Sequence, residues 1–198
     1  LPDRLTLGFD TSAAHCAAAL LRGDEVLAER QEEMTKGQAE RLMPLLEEML
    51  AEAGVGWHDL SVIGVGIGPG NFTGIRIAVA AARGLALALK IPAIGISATE
   101  AAAHGLPRPC RIQIPTRGDQ VIWQDFTAED RDGGRPQQAA TGALPPGPAP
   151  AAPAVPTAVA IAQLAAARAD TPAPRPAPIY LRPADAAPGR DAPPLILP

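Results

Sequence analysis

The chain has 198 residues, with 17 basic and 21 acidic side chains and a net charge of −4. That length fits one large domain or two small ones, and a 47% apolar fraction supplies a core, which excludes wholesale disorder. Two Trp, one Tyr and three Phe are too few for a base-stacking surface. No Lys/Arg cluster is present to neutralise a run of phosphates, which speaks against a direct grip on nucleic acid. Cys16 and Cys110 lie far apart, with no zinc spacing and no disulfide framework. Leu1-Pro2-Asp3-Arg4 leads into a strand-like run without the pattern of a leader, and the uncharged stretch around Leu144–Pro156 is broken by prolines. The expectation is a soluble cytoplasmic protein with no membrane segment.

Charge and proline divide the chain. Residues 1–107 carry eight basic and thirteen acidic residues, whereas 108–198 carry nine arginines, no lysine and eight acids. Eighteen of the 23 prolines fall in the second part. The expected domains are therefore a regular unit over 1–107 and a looser, proline-rich unit over 108–198, with Leu144–Pro156 as an extended connector.

In chain order, Leu5–Asp10 and Cys16–Arg22 are predicted strands, joined by a turn over Asp10-Thr11-Ser12 whose side chains bond readily to backbone. Glu25–Met34 alternates and completes an antiparallel meander. Gln38–Ala53 carries Leu42, Leu45, Leu46, Met49 and Leu50 at helical spacing, with glutamates opposite. Pro44 lacks a donor, which predicts that the regular helix starts near Met43; Gly54 should close it. Val62–Gly68 is a predicted strand, Phe72–Lys90 a helix and Ala93–Ile96 a strand. Ser97, with Glu100 three residues on, should cap a short helix. Strands joined by helices after a meander imply a mixed sheet with helices against it. Later, Pro115 should push its strand to an edge or a bulge, and Pro156-Thr157 opens a helix over Ala158–Ala169.

Gly66-Ile67-Gly68-Pro69-Gly70-Asn71-Phe72-Thr73-Gly74-Ile75-Arg76 runs from a strand end into a helix, a place where free N–H groups favour an anion. One reading is a phosphate cradle using Gly68 and Gly70. The pattern lacks the lysine of a P-loop and the third glycine of a dinucleotide fingerprint, so a tight packing turn is the competing reading. Asp10, at the end of the first strand, is the companion candidate for a nucleotide, or else an acceptor for its own turn. His15, His58 and His104 show no mutual geometry. The helix after the loop is apolar nearly all round and rich in Ala and Gly, so it must be covered on more than one side.

Several segments together resemble the TsaB family. They are Leu7-Gly8-Phe9-Asp10-Thr11-Ser12, Gln38-Ala39-Glu40-Arg41-Leu42-Met43-Pro44, the loop above, Gly84-Leu85-Ala86-Leu87-Ala88-Leu89, Ile94-Gly95-Ile96-Ser97 and Pro178-Ile179-Tyr180-Leu181-Arg182. The resemblance is nearly continuous over residues 5–103 and patchy beyond. It implies an α/β fold of the actin-like, sugar-kinase (ASKHA) type, with two lobes each built on a mixed sheet flanked by helices and a reduced second lobe. It also implies a role in forming threonylcarbamoyladenosine on tRNA beside the anticodon. That role is a non-catalytic scaffold pairing with a TsaD-type catalytic subunit, with a TsaE-type ATPase in the complex. Contact with tRNA would be indirect, and a homodimer would form without the partner. TsaD-like relatives carry a His-x-x-x-His metal pair where this chain has Ala98 and Ala102, so neither a metal site nor a metallopeptidase is expected. No cofactor and no catalytic residue is assigned. The family's Asp-Ala-Arg motif is reduced to Arg117. An ATP-using phosphoryl- or carbamoyl-transfer enzyme built on Asp10 and the Gly66–Gly74 loop is the alternative. For the scaffold, the apolar excess of the two first-lobe helices places the expected partner surface on Leu42, Met43, Leu46, Leu50, Ile75 and Val79.

Overall fold

A computed structural model describes residues 3–128 and 134–181, and Arg182 of the tail motif lies outside them. Strands β1 (Leu5–Asp10), β2 (His15–Arg22) and β3 (Glu25–Glu33) form the antiparallel meander. Strand β4 (Leu60–Gly66) pairs parallel with β1, and β5 (Ala93–Ile96) pairs parallel with β4. The resulting sheet is mixed and runs β3-β2-β1-β4-β5.

Helices α1 (Gln38–Glu52) and α2 (Phe72–Leu89) cover one face. Leu7, Phe9, Ile63 and Val65 of the strands meet Leu42, Leu45, Leu46 and Met49 of α1 and Ala78 and Ala82 of α2 there. Helix α1 starts five residues earlier than Pro44 predicts, with the proline inside it. Pro44 lies on the exposed side, where the carbonyl left without a partner can bond to water. Gly54 closes the helix as expected, at φ 67°, with Val55 N–H returning to Leu50 O at 3.0 Å. Ser97 caps α3 (Ala98–Ala103) through Glu100 N–H at 3.1 Å.

Strands β6 (Cys110–Pro115), β7 (Gln120–Phe126) and β8 (Gln137–Ala140) form a second sheet in the order β6-β7-β8. This sheet is antiparallel throughout rather than mixed, because no helical crossover joins its strands. Pro115 stands at the end of an edge strand, where its missing donor costs little. Buried Arg111 pairs with Asp125 of β7 at 2.6 Å and ties the sheet to the connector by donating to Pro145 O at 2.8 Å.

Helix α4 (Thr157–Arg168) follows the connector, yet it packs on the second face of the first sheet. Its Ala158, Ala162 and Ala165 lie on β1, β2 and β4. The approach is backbone to backbone. A Cβ at Gly8 would sit 2.6 Å from Ala158 O, and one at Gly64 would sit 2.8 Å from Ile161 O. Gly64→Ala should therefore lift α4 and cost about 1–3 kcal/mol, the range for overpacking a tight core. Urea denaturation checks this: the midpoint should fall while the slope stays unchanged.

Candidate functional site

The two parallel strands β1 and β4 end side by side, and Asp10, His15 and the glycine loop gather there. Asp10 closes β1 with its carboxylate buried. Its Oδ2 accepts the Ser12 N–H and the Ser12 hydroxyl, each at 3.0 Å, and lies 2.8 Å from His15 Nε2. The hydrogen bond to Asp10 raises the His15 pKa against the opposing effect of burial, with the Asp10 and Glu33 charges adding to the rise. Cys16 beside it is buried, which pushes its thiol up to about 11 and leaves it a poor nucleophile.

The glycine loop folds directly onto this turn. Asn71 N–H donates to Ser12 O at 2.6 Å, and the Thr11 hydroxyl donates to Gly74 O at 2.6 Å. Asn71 Oδ1 accepts Gly74 N–H at 2.9 Å, so the α2 cap is internal. Side chains at Gly70 and Gly74 would collide with the carbonyl oxygens of Ser12 and Thr11. Asp10, Gly68 and Gly70 are thus brought together in a packed joint, with the backbone of Thr11 and Ser12 against its inner side and residues 70–73 exposed on the outer one.

The other candidates are dispersed. His104 Nε2 pairs with Gln163 Oε1 at 2.9 Å, and His58 is exposed on a separate turn. Ala98 and Ala102 lie on α3 and offer no ligand atom. Among the described residues, no three His, Cys, Asp or Glu side chains converge.

The expected partner surface needs correction. Leu42, Leu46, Leu50, Ile75 and Val79 are at most 4% exposed, and Met43 is partly buried against the same core. The sheet face is broad enough to take this row of both helices. The apolar excess lies on the far side of α2, where Leu87 is 80% exposed and Ala80, Gly84 and Ala88 are open. Nothing lies within 4 Å of the point where a Gly84 Cβ would stand. By length and composition α2 could also cross a membrane, but its inner side packs on the sheet. The legible signal was the row Ala80, Gly84 and Ala88 at helical spacing beside the charged Arg76 and Arg83, opposite Ile75, Val79 and Ala82.

Comparisons with known proteins agree with this architecture. The family profile described as "TsaD: tRNA N6-adenosine threonylcarbamoyltransferase" matches residues 25–127. The chain is 31% identical over 129 residues to the tRNA threonylcarbamoyladenosine biosynthesis protein TsaB of Escherichia coli, covering 63% of this chain and 55% of that one. To TsaB of Bacillus subtilis it is 41% identical over 100 residues, covering 50% and 44%. An uncharacterized protein of Mycobacterium tuberculosis is 32% identical over 145 residues, covering 72% and 68%. The chain belongs to the TsaB family. It spans about half the length of the first curated family members it matches. Among solved structures, a Pseudomonas aeruginosa protein described as similar to the peptidase YeaZ superposes with a TM-score of 0.72 at 26% identity, over 90% of this chain and all of that one. YeaZ from the same organism gives 0.68 at 26% identity with the same coverage of this chain. The fold is of the ASKHA type, and among the described residues its second sheet has three strands.

The His15–Asp10 pair gives a pH signature. A pKa raised by folding contributes stability that is complete below the unfolded value and is lost as pH rises through the folded one. The advantage of the wild type over His15→Asn should therefore be largest near pH 6 and shrink as pH rises further. Urea midpoints of both proteins across pH 5.5–9 check the direction.

Proposed function

We propose that this chain is a non-catalytic partner subunit in forming threonylcarbamoyladenosine on tRNA, acting in the cytoplasm beside a TsaD-type catalytic subunit. The exposed apolar face of α2 carries this reading. A soluble protein that leaves a leucine and a row of small residues open on a core helix presents a surface for another helix. The face is rimmed by Arg76, Arg83 and Lys90, while the neighbouring α1 exposes Glu40, Glu47, Glu48 and Glu52. A helical pair of similar build, turned about a two-fold axis, meets this surface with opposite charges facing. A paralogous subunit fits that description, and so does a second copy, so a homodimer would form when the partner is missing.

Three observations support a supporting rather than a catalytic role. The carboxylate at the end of β1 is committed to its own turn. The glycine loop packs Gly70 and Gly74 against that turn. The positions of the catalytic relatives' metal pair are alanines. A TsaE-type ATPase would join the assembled complex, and tRNA would reach this subunit only through it, consistent with the few aromatics and scattered arginines.

The test separates surface from core. Leu87→Asp and Gly84→Trp should leave the melting temperature nearly unchanged, because both sites face open space. Each should weaken binding to the TsaD-type subunit by at least about tenfold, as loss of a central apolar anchor does. Leu46→Ala should instead cost about 2–5 kcal/mol of stability, as buried leucine truncations do. In cells depleted of the native protein, Leu87→Asp should fail to restore modified tRNA. Full affinity and full modification with both surface variants would refute the proposal.

A further inference from the structure

Beside the exposed face of α2, and sharing Arg83, Gly84 and Leu87 with it, lies a groove of about 710 Å³, within the roughly 300–1,000 Å³ common for ligand sites. Its floor is apolar, formed by Ala86, Leu87, Ile91 and Ile94. One wall is the free edge of the first sheet, since β5 is its last strand. Ile63 N–H donates to Pro92 O and Ile67 N–H to Ile96 O, each at 3.0 Å, so the even-numbered residues of this stretch face β4. Alternation along a strand then turns the N–H and C=O of Ala93 and Gly95 outward. Among the described residues, no backbone hydrogen bond reaches them.

The other wall is the segment after α4, which carries prolines at Pro172, Pro174, Pro176 and Pro178. It is held by Ile179 N–H donating to Ile67 O at 2.8 Å and passes Gly95 through Pro176. With every second donor missing, it shields the edge without pairing to it. The charges at the groove are unbalanced. Among the described residues its one carboxylate, Asp170, is bound by Arg4 at 2.8 Å, whereas Arg83 and Arg175 have no hydrogen bond or ion pair there.

We propose that this groove takes an extended segment of a partner protein, apolar on alternate residues and acidic between them, which adds as a further strand on β5. Main-chain bonds to Ala93 and Gly95 would hold it, its apolar side chains would cover the floor, and its carboxylates would meet Arg83 and Arg175. The groove shares Arg83, Gly84 and Leu87 with the α2 face assigned to the paralogous subunit, so the two occupants would compete. The peptide test reads this groove without that subunit and does not depend on that assignment.

The probe is a labelled, capped hexapeptide of alternating valine and glutamate, titrated into the full chain by fluorescence anisotropy, with a valine–lysine peptide as counterpart. The acidic peptide should saturate below about 1 mM, and the lysine peptide should bind at least about tenfold more weakly. Arg83→Glu combined with Arg175→Glu, both on the surface, should weaken the acidic peptide by at least about tenfold. Ala93→Pro removes only the outward donor and leaves the ladder to β4, and it should weaken binding similarly at unchanged melting temperature. Hydrogen exchange should show new protection at Ala93 and Gly95. Absence of saturation by 1 mM, equal binding of the lysine peptide, indifference to either variant, or protection elsewhere would each overturn the proposal.

Discussion

The structure depends on how closely α4 can approach the first sheet. Gly8 and Gly64 stand side by side on β1 and β4 and face the alanines of α4, so backbone meets backbone with no side chain between. That contact makes the centre of the sheet dry on both faces, with Leu7 and Phe9 under α1 and α2 and the opposite face under α4. Strands buried on both sides are rigid platforms. The ends of β1 and β4 are consequently fixed relative to each other, and the Asp10 turn and the glycine loop inherit that rigidity.

The same economy governs the loop itself. Glycines at the junction of a strand and a helix serve phosphate binding when their N–H groups face open space. Here Gly70 and Gly74 serve the close approach of Thr11 and Ser12, whose oxygen atoms sit where side chains would be. Asn71 supplies the helix cap that an anion would otherwise provide. The loop forms a joint between two turns, and its stiffness sets the direction in which α2 leaves the sheet.

Local chemistry was legible in the sequence where one residue decides. Ser97 and Glu100 announced α3, Gly54 ended α1, and Pro115 marked an edge. The alternation and spacing of apolar residues located the strands and helices of the first sheet closely. Properties set by distant neighbours were hidden. Leu42, Leu46 and Val79 are apolar whether they face a sheet or a partner, and only the sheet's breadth decides that they are core. Pro44 reads as a helix start, but its exposed side lets the helix run through it. The position of α4 was also out of reach, because small apolar residues give no hint of which sheet they cover. Its partners, Gly8 and Gly64, precede it by more than ninety residues.

That separation has a bearing on biosynthesis. Strands β1, β2 and β4 are made before α4, with about ninety residues between Gly66 and Thr157. At about 5–20 residues per second, the ribosome needs several seconds to bridge that interval. Meanwhile Ala17, Ala19, Leu21 and Val62 have no cover, and a nascent meander with a bare apolar side is a natural client for a chaperone. A gene cut at the compositional boundary near residue 107 would yield a fragment arrested in that state.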